Sequence, residues 1–545
     1  MEKNTLIAIV LSMAVLLAWS FLFEPEKAET PKQVVEQGEQ PSATPPPSSA
    51  PQAQAPVAES GSVTPPATVS GRVPRIIEVD HPLYVAKFTE QRATIESFKL
   101  RLFTETVDTN SPMLELCKSK DPVITLGFLN KTVPDISFAL FAADQSNVDL
   151  TSKGGPQTLT FNWTSANGVQ IIKRYTFHPD SYLIDMDVTL RNLSGGLLDE
   201  NMEVQLNGAP FEAVPGYYNN PGILTLINNE VDAEEVSSIE KQEILSGEIH
   251  WVSYHDNYFM MAVVPDGAVR GSVRMNPAEG NQIRVDLVTP PVKLPNNMET
   301  LYGYHLYFGP RQLETLKALN LGLERAVDYG FFDIIAKPIL FLLKWLHKGL
   351  KNYGLAIIIV TIFIKILFWP LTQKSYNSMK GMKALQPHIN KLREEYKDDK
   401  QRLNSEMMAL YKSNKVNPMG GCLPMLIQIP VFFALYRILG QSIEMRHAPF
   451  MLWINDLSAP DRLPVGFHIP YTGGLPILTL LMGLSMFIQQ KMTPTPGDPT
   501  QAKMMMLLPV FFTFLFINFP SGLVLYWLVN NILSIGQQYY VNRKA

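Results

Sequence analysis

The sequence predicts a multi-domain membrane protein with six transmembrane α-helices, a large β-sandwich domain and a helical hairpin. Three features indicate this fold class: several long apolar segments, a long region of short alternating runs, and a basic stretch whose apolar residues repeat at helical spacing. The chain of 545 residues is also too long for one ordinary core. We therefore expect separate domains.

The first apolar segment, Thr5 to Phe23, carries no charge and is longer than the apolar part of a cleavable signal peptide. The FEPEKAET sequence after it offers no cleavage site of the A-x-A type, so we predict an uncleaved transmembrane anchor in residues 1–24. Residues 25–72 are rich in Pro, Ala and Ser. We expect a disordered linker there, because such a segment cannot bury enough surface to offset the entropy of ordering.

Residues 73–328 form the predicted β-sandwich. Runs such as TLTFNW (Thr158 to Trp163) and YLIDMDVTL (Tyr182 to Leu190) alternate apolar and polar residues, and clusters of Gly, Asn, Asp, Pro and Ser separate them. Alternation of period two with frequent turns favours antiparallel sheets that pack on one another.

Residues 329–352 are predicted to form an amphipathic helix at the membrane interface. The apolar block between Lys337 and Lys344 is too short to cross a bilayer, and these lysines share one helical face with Lys348. The alternative is a buried helix of the β domain.

Five further apolar segments are predicted transmembrane spans, at residues 353–373, 421–443, 474–490, 504–519 and 520–540. Residues 374–420, between the first two of them, carry ten Lys and Arg against five Asp and Glu, which places them in the cytoplasm. Alternate crossings then put loop 491–503, tail 541–545 and both termini in the cytoplasm. The β domain and loop 444–473 lie outside, in the periplasm of a bacterium.

The cytoplasmic segment 374–420 is predicted to be a helical hairpin. Its apolar residues recur at helical spacing on either side of a DDKQ turn. They are Met379, Met382, Leu385, Ile389, Leu392, Tyr396, Leu403, Met407 and Leu410. We expect most of them to pack the two helices together, while Met-rich faces and Pro387 favour a mobile, adaptable hairpin.

Composition excludes several classes of function. A net charge of -4 gives no indication of nucleic-acid binding, and neither GxxxxGK[ST] nor HExxH occurs. Cys117 and Cys422 are too few and too far apart for a disulfide framework or a cysteine metal site. We expect no cofactor, no metal and no direct nucleic-acid specificity.

Three runs resemble the signature segments of the YidC membrane protein insertases, within the YidC/Oxa/Alb family. They are KVNPMGGCLPMLIQIPVFFALY (Lys415 to Tyr436), MRHAPFMLWINDLS (Met445 to Ser458) and FPSGLVLYWLVNN (Phe519 to Asn531). The resemblance extends over essentially the whole chain in the Gram-negative form. It implies a periplasmic β-super-sandwich and a five-helix insertase core.

Lys365 is the one charged residue in IIIVTIFIKILFWP (Ile357 to Pro370). A charge near the middle of a span costs roughly 2.5 to 3.5 kcal/mol, so it usually faces water, a partner or a cavity. The resemblance implies a hydrophilic groove, open to the cytoplasm and to lipid, in which Lys365 takes the place of a more common arginine. The alternative is that Lys365 extends along the helix to the membrane surface.

Other residues complete the predicted groove. Thr361, Lys365 and Thr372 lie at intervals of four and seven and so form a polar stripe. We predict that Gln428, Trp527 and Asn530 line the same groove, although amides in membranes also join helices. Phe432, Met482 and Leu515 are the predicted apolar slide for an arriving helix.

The resemblance implies a non-enzymatic insertase and chaperone for integral inner-membrane proteins, acting alone or with the Sec translocon. The implied partners are nascent membrane proteins, the translocon with its accessory subunits, membrane lipids, and the ribosome through the hairpin. The tail VNRKA is too short for a strong ribosome-binding extension.

Two alternative functions remain. A secondary transporter would hold a small anion at Lys365, but we find no matching pair of broken spans. A membrane-anchored periplasmic sugar-binding module would use some of His178, His250, His255 and His305. Deletion of the β domain separates the latter from an insertase, which should keep its activity.

Overall fold

The computed structural model describes residues 72–543, except residues 153, 212–220, 279–280, 415, 417–422, 468, 470–471 and 494–498. The predicted anchor (1–24) and nearly all of the predicted linker (25–72) lie outside these residues. The described part comprises a β-rich region up to Pro310 and a helical region after it.

Two sheets make up most of the described β region. The smaller sheet contains, in spatial order, β4 (Met113–Glu115), β3 (Thr94–Thr104), β2 (Tyr84–Thr89), β1 (Ile76–Asp80) and β7 (Asn147–Asp149). The larger sheet contains, in spatial order, β5 (Ile124–Phe128), β12 (Met202–Gly208), β18 (Gln282–Val288), β17 (Val269–Ala278), β15 (Glu243–His255), β16 (Phe259–Pro265), β20 (Glu299–Pro310), β10 (Leu183–Asn192), β9 (Val169–Phe177), β8 (Gln157–Thr164) and β6 (Ala142–Ala143). A hairpin of β13 (Gly222–Ile227) and β14 (Glu230–Glu235) joins it at β15, and β11 (Leu198–Glu200) pairs with β19 (Val292–Leu294).

The two sheets pack face to face through a core of aromatic residues. The ring of Phe88 on β2 lies 4.9 Å from Tyr175 and 5.6 Å from Phe177, both on β9 of the other sheet. The hydroxyl of Tyr175 also donates a hydrogen bond of 2.9 Å to the carbonyl oxygen of Ala93. The predicted β-sandwich is therefore present.

Alternating burial follows the sequence pattern in strands with one polar face. In β10, every second residue from Ile184 to Asn192 is buried. By contrast, β16 is buried along its whole length and shows no alternation. The described pairings are antiparallel except that β1 pairs with β7 in parallel, which the sequence pattern did not indicate.

Ten helices follow the sandwich in the described residues. They are α1 (Leu313–Ala318), α2 (Asp333–Leu350), α3 (Tyr353–Leu367), α4 (Trp369–Ala384), α5 (Gln386–Glu395), α6 (Lys400–Ser413), α7 (Leu423–Gln441), α8 (Ile477–Met492), α9 (Pro499–Phe516) and α10 (Ser521–Arg543). Helix α2 packs on α3 and α7, while α10 packs on α3, α8 and α4. The helices thus form a bundle around α10.

The predicted span 353–373 is not one straight helix. It is divided at Phe368 into α3 and α4, whose axes differ by 66°. Pro370 lies in the first turn of α4, where its missing N–H costs nothing and its ring favours a new helix start. Within the described residues, no single helix has both the length and the apolar composition of a membrane span. Among these residues, only α3 and α4 taken together, as a bent pair, have that length and composition.

Helices α5 and α6 pack side by side, as the spacing in residues 374–420 predicts. Met382 of α4, Leu385, Ile389 of α5 and Tyr411 of α6 form one buried cluster, and Met407 and Leu410 of α6 pack against it. The apolar residues therefore hold the hairpin together. Pro387 does not interrupt a helix, because it lies in the first turn of α5.

Candidate functional site

Lys365 lies in the last turn of α3 and points into the bundle. Asn352 caps the start of this helix by accepting a hydrogen bond from the N–H of Leu355. The helix then buries one stripe, which includes Ile357, Thr361 and Lys365, and exposes isoleucine and phenylalanine on the other side. Lys365 is only 5% exposed.

Two polar groups of α10 bind the ammonium of Lys365. Its Nζ donates a hydrogen bond of 2.6 Å to Oγ of Ser534 and a longer one of 3.4 Å to Oδ1 of Asn530. No carboxylate among the described residues forms an ion pair with it. The positive charge is therefore solvated by neutral oxygens only.

Gln428 on α7 completes this group through a reciprocal amide pair. Its Nε2 donates to Oδ1 of Asn530 at 3.0 Å, and Nδ2 of Asn530 donates back to Oε1 of Gln428 at 2.9 Å. The same Oδ1 thus accepts from Gln428 and from Lys365. This amide pair joins α7 to α10 directly beside the ammonium.

Four of the predicted groove residues line one cavity. Thr361, Lys365, Gln428 and Asn530 surround it, together with Thr372 nearer the α4 end. The cavity measures about 10 Å³, which is room for one water molecule. In this conformation the site is a narrow polar recess and does not admit a polypeptide.

Polar pairs continue from the recess along α10. The hydroxyl of Thr372 and the amide of Gln537 lie 2.9 Å apart. On the other side of α10, Nδ2 of Asn531 donates to Oγ of Ser485 on α8 at 3.0 Å. Asn531 therefore joins two helices, whereas Asn530 faces the recess.

Trp527, predicted in the groove, lies elsewhere. Its ring centroid is 5.0 Å from that of Phe432 and 5.1 Å from that of Phe516, so it belongs to an aromatic cluster between α7, α9 and α10. Trp527 lies one turn before Asn530 on α10, on the side that α9 covers. Sequence spacing alone did not show whether Trp527 faces the recess or the aromatic cluster.

The predicted slide residues differ in exposure. Leu515 is 38% exposed and Phe432 is half-buried, so both side chains have exposed apolar surface that an arriving helix could contact. Met482 is 0% exposed and therefore cannot contact lipid in this conformation. The exposed apolar residues of α8 are Leu480, Leu481, Leu484 and Ile488.

The segment after α7 covers the far end of the bundle. Asp461 is buried, with Oδ1 accepting from Nε1 of Trp453 at 2.6 Å and Oδ2 accepting from the N–H of Leu478 at 2.5 Å. The N–H groups of Ser521 and Gly522 donate to carbonyls of this segment. These bonds close the end of the bundle that lies opposite the hairpin.

Ser534 is the contact that sequence reasoning missed. It follows Asn530 by four residues and so lies on the same face of α10. The spacing of four residues from Asn530 indicates that Ser534 points in the same direction as Asn530. A serine in an apolar helix is common, so the residue type by itself does not indicate a contact with Lys365.

The four histidines of the sugar-binding alternative do not form one site. His178 and His305 share the carboxylate of Asp185, at 2.6 Å and 2.7 Å. His255 is half-buried, and desolvation holds its pKa well below the ordinary value. Among the described residues, no group of three or more His, Cys, Asp or Glu is arranged to hold a metal.

Two family models match the chain. The model described as the YidC periplasmic domain matches residues 76–342, and the model described as the 60Kd inner membrane protein matches residues 345–545. Together they account for nearly all of the described residues.

Curated relatives match over the full length. The protein named membrane protein insertase YidC from Syntrophobacter fumaroxidans is 41% identical over 563 residues, with 100% of both chains covered. The protein of the same name from Syntrophus aciditrophicus is 42% identical over 557 residues, also with 100% of both chains covered.

Solved structures give weaker matches. A crystal structure described as an active YidC insertase is 18% identical and overlays with a TM-score of 0.37, covering 86% of this chain and 93% of that chain. A galactose mutarotase-like protein from Lactobacillus casei covers 43% of this chain and 99% of that chain, at 10% identity and a TM-score of 0.31. Neither overlay is close enough to bear on the function.

Proposed function

The chain belongs to the YidC family of membrane protein insertases, and from this we propose that it inserts integral proteins into the bacterial inner membrane by means of the recess around Lys365. It is an insertase and no enzyme: the proposed steps are binding, sliding and release, without covalent chemistry. The names of its relatives support neither the anion-transporter alternative nor the sugar-binding one.

One observation supports the assignment to Lys365: its ammonium is buried, and among the described residues neutral oxygens alone bind it. The hydrogen bonds to Ser534 and Asn530 lower the free-energy cost of burying the charge but do not neutralise it. A carboxylate from an arriving chain would therefore gain a full charge-assisted hydrogen bond on reaching the recess. Within a span, a charge without a counter-ion is by default a functional group.

The recess must widen before a substrate can enter. It has room for one water molecule, and the pair Gln428–Asn530 closes the side between α7 and α10. We propose that separation of this amide pair opens the groove toward the cytoplasm and lipid. Asn530 would then turn its Oδ1 from Gln428 to the ammonium alone.

The driving force would come from the substrate. An acidic flank is attracted to Lys365, while its apolar helix moves along the exposed surfaces of α8 and α9, including Leu515. Transfer of about 20 apolar residues into hydrocarbon makes the step favourable. The membrane potential adds about 2.3 kcal/mol per 100 mV for each negative charge that moves outward.

The proposed membrane arrangement follows the charge distribution of the sequence. Six spans would place both termini and the hairpin of α5 and α6 in the cytoplasm, and the β domain in the periplasm. The hairpin is the proposed contact with ribosomes that carry nascent chains. The Sec translocon and its accessory subunits are proposed partners, with insertion also possible without them.

Substitutions of Lys365 test the proposal directly. In vesicles that contain the purified protein, Lys365→Arg should keep most of the insertion of a single-span substrate with an acidic tail. Lys365→Gln should lower the yield, and Lys365→Glu should lower it roughly tenfold, because one charge-assisted hydrogen bond is replaced by repulsion. Protease protection of the substrate tail measures the yield.

Two controls separate the recess from general charge effects. Lys383→Glu removes a positive charge from the exposed surface of α4 and should leave insertion unchanged. A substrate without acidic residues in its tail should respond much less to Lys365→Glu. Equal yields for all Lys365 variants with the acidic substrate would refute the proposed role.

A further inference from the structure

A cluster of charges on Lys344 ties the outer end of α7 to α1, the short helix that directly follows the last strand of the β domain. Nζ of Lys344, in the middle of α2, lies 2.6 Å from Oε2 of Glu314 on α1 and 2.8 Å from Oε1 of Glu444 just after α7. Nε2 of Gln312 also donates to Oε1 of Glu444 at 3.1 Å. We call Lys344, Glu314 and Glu444 the Lys344 clamp.

Lys344 differs from its neighbours on the same helix. Lys337 pairs with Asp333, four residues earlier on α2, and Lys348 is exposed. The side chain of Glu444 is only 10% exposed, so loss of the lysine would leave a nearly buried carboxylate with Gln312 as its remaining partner among the described residues. Such an uncompensated charge is strongly unfavourable.

Further contacts surround the clamp. The hydroxyl groups of Tyr329 and Ser442, both buried, lie 2.8 Å apart. Arg446 donates to the carbonyl oxygen of Thr104 at 2.9 Å and lies 5.3 Å from the ring centroid of Phe259, both in the β domain. The segment that leaves α7 is therefore fixed to the sandwich at several points.

Pro430 lies inside α7, between an inner part that begins at Leu423 and an outer part that ends at Gln441. This proline lacks the N–H that would bond the carbonyl of residue 426, which weakens the helix at that turn. The outer part, with Phe433 stacked on Phe332 at 5.3 Å, belongs to the clamped side. The inner part carries Gln428, whose bond to Asn530 closes the recess.

We propose that Lys344 is a positioning residue for insertion. The Lys344 clamp holds the outer part of α7 against the β domain. The inner part of α7 then bends at Pro430, and this motion breaks and re-forms the hydrogen bonds between Gln428 and Asn530. This inference rests on the proposed function of the recess. Without the clamp, the whole of α7 would shift relative to α10. The amide pair would then no longer lie beside the ammonium of Lys365, and insertion would slow.

Distances between α7 and α10 provide the test. Spin labels at exposed Ile429→Cys and Ile532→Cys, after replacement of Cys117 and Cys422 by Ser, report the separation of the two helices in the full chain in vesicles. Lys344→Gln should broaden or shift this distance distribution and lower insertion roughly tenfold, as expected for the loss of a charge-assisted hydrogen bond. Lys344→Arg should restore both.

Matched variants separate positioning from mere stability. Lys337→Gln lies on the same helix and should change neither distance nor insertion. The thermal unfolding midpoint of Lys344→Gln is measured in parallel; a role in stability alone would lower this midpoint and leave the distances of the folded protein as they are. That result would overturn the inference, as would a normal distance in Lys344→Gln or a failure of Lys344→Arg to rescue.

The same labelled chain distinguishes this inference from the proposed function. Lys365→Glu should lower insertion roughly tenfold without changing the distance between α7 and α10. Normal insertion by Lys365→Glu would refute the role of the recess, while the distances in Lys344→Gln would still decide whether the clamp positions α7. A changed distance with full insertion in Lys344→Gln would refute the functional role of the clamp.

Discussion

At the scale of single residues, the partners of Lys365 decide what its charge can do. A carboxylate partner would neutralise the ammonium and leave little attraction for a ligand. Hydroxyl and amide oxygens instead lower the cost of burial while the charge stays. Ser534 at 2.6 Å is the closest such partner, which makes the pair Lys365 and Ser534 the centre of the recess.

A second residue of interest is Asp185 in the β domain, which binds His178 and His305. The hydrogen bond to His305 holds the pKa of Asp185 below its ordinary value, and the same bond raises the pKa of His305. The raised pKa of His305 gives stability that is full below its ordinary 6.5 and is lost as the pH rises through the raised value. The lowered pKa of Asp185 gives stability that is lost only as the pH falls through that value.

Asp185→Asn should therefore lower the thermal unfolding midpoint more at about pH 5.5 than at about pH 8.5. Asp187→Asn, two residues along the same strand, is the control and should show a much smaller difference between the two conditions. Differential scanning calorimetry of the full chain measures both. An equal effect of Asp185→Asn at the two pH values would contradict this account.

At the scale of elements, the helices depend on close contacts that only small residues allow. A Cβ on Gly483 of α8 would lie 2.0 Å from Oγ1 of Thr513 on α9. Likewise, a Cβ on Gly354 of α3 would lie 2.0 Å from the ring of Phe450. These glycines set the distances between neighbouring elements.

Gly483→Ala should destabilise the bundle by roughly 1–3 kcal/mol, because α8 and α9 would have to separate. Gly536→Ala on α10 is the matched control: nothing lies within 4 Å of its added Cβ, so it should be neutral or stabilise by up to about 1 kcal/mol. Unfolding midpoints in detergent provide the comparison. A destabilisation by Gly536→Ala equal to that by Gly483→Ala would show that the close contact is unimportant.

At the scale of the whole molecule, we propose that α2 lies along the membrane surface. One side of α2 packs on α3 and α7, while the other exposes Ile334, Phe341 and Trp345. Phe341 is 72% exposed, which is unfavourable in water but suits the boundary between headgroups and acyl chains. Lys348, which is exposed on the same helix, can reach the headgroups.

An environment-sensitive dye at Phe341→Cys should therefore show blue-shifted emission in vesicles and be quenched by lipids that carry a nitroxide. The same dye at Lys293→Cys, an exposed position of the β domain, should report water. Identical emission at the two positions would exclude the interfacial arrangement of α2. Both variants require the background in which Cys117 and Cys422 are replaced.

Much of the architecture follows from local sequence pattern. Alternation of period two predicts strands such as β10, and helical spacing predicts the hairpin of α5 and α6. Pro370 explains the break between α3 and α4, which the prediction of one straight span had overlooked. Thr361 and Lys365, which the sequence places on one polar stripe, line the same cavity. These features depend on a few neighbouring residues and on the geometry of one element.

The sequence by itself thus determined which segments are sheet and helix, the family, and the position of Lys365 as the one charge within its apolar segment. Only the tertiary structure decided that Ser534 binds this charge, that Met482 is buried, and that Lys344 joins α2 to both the β domain and α7. The physical reason is that these contacts depend on the rotation and translation of one element against another. Residues such as Lys365 and Ser534 are far apart along the chain, and their own local patterns carry no information about that relative placement.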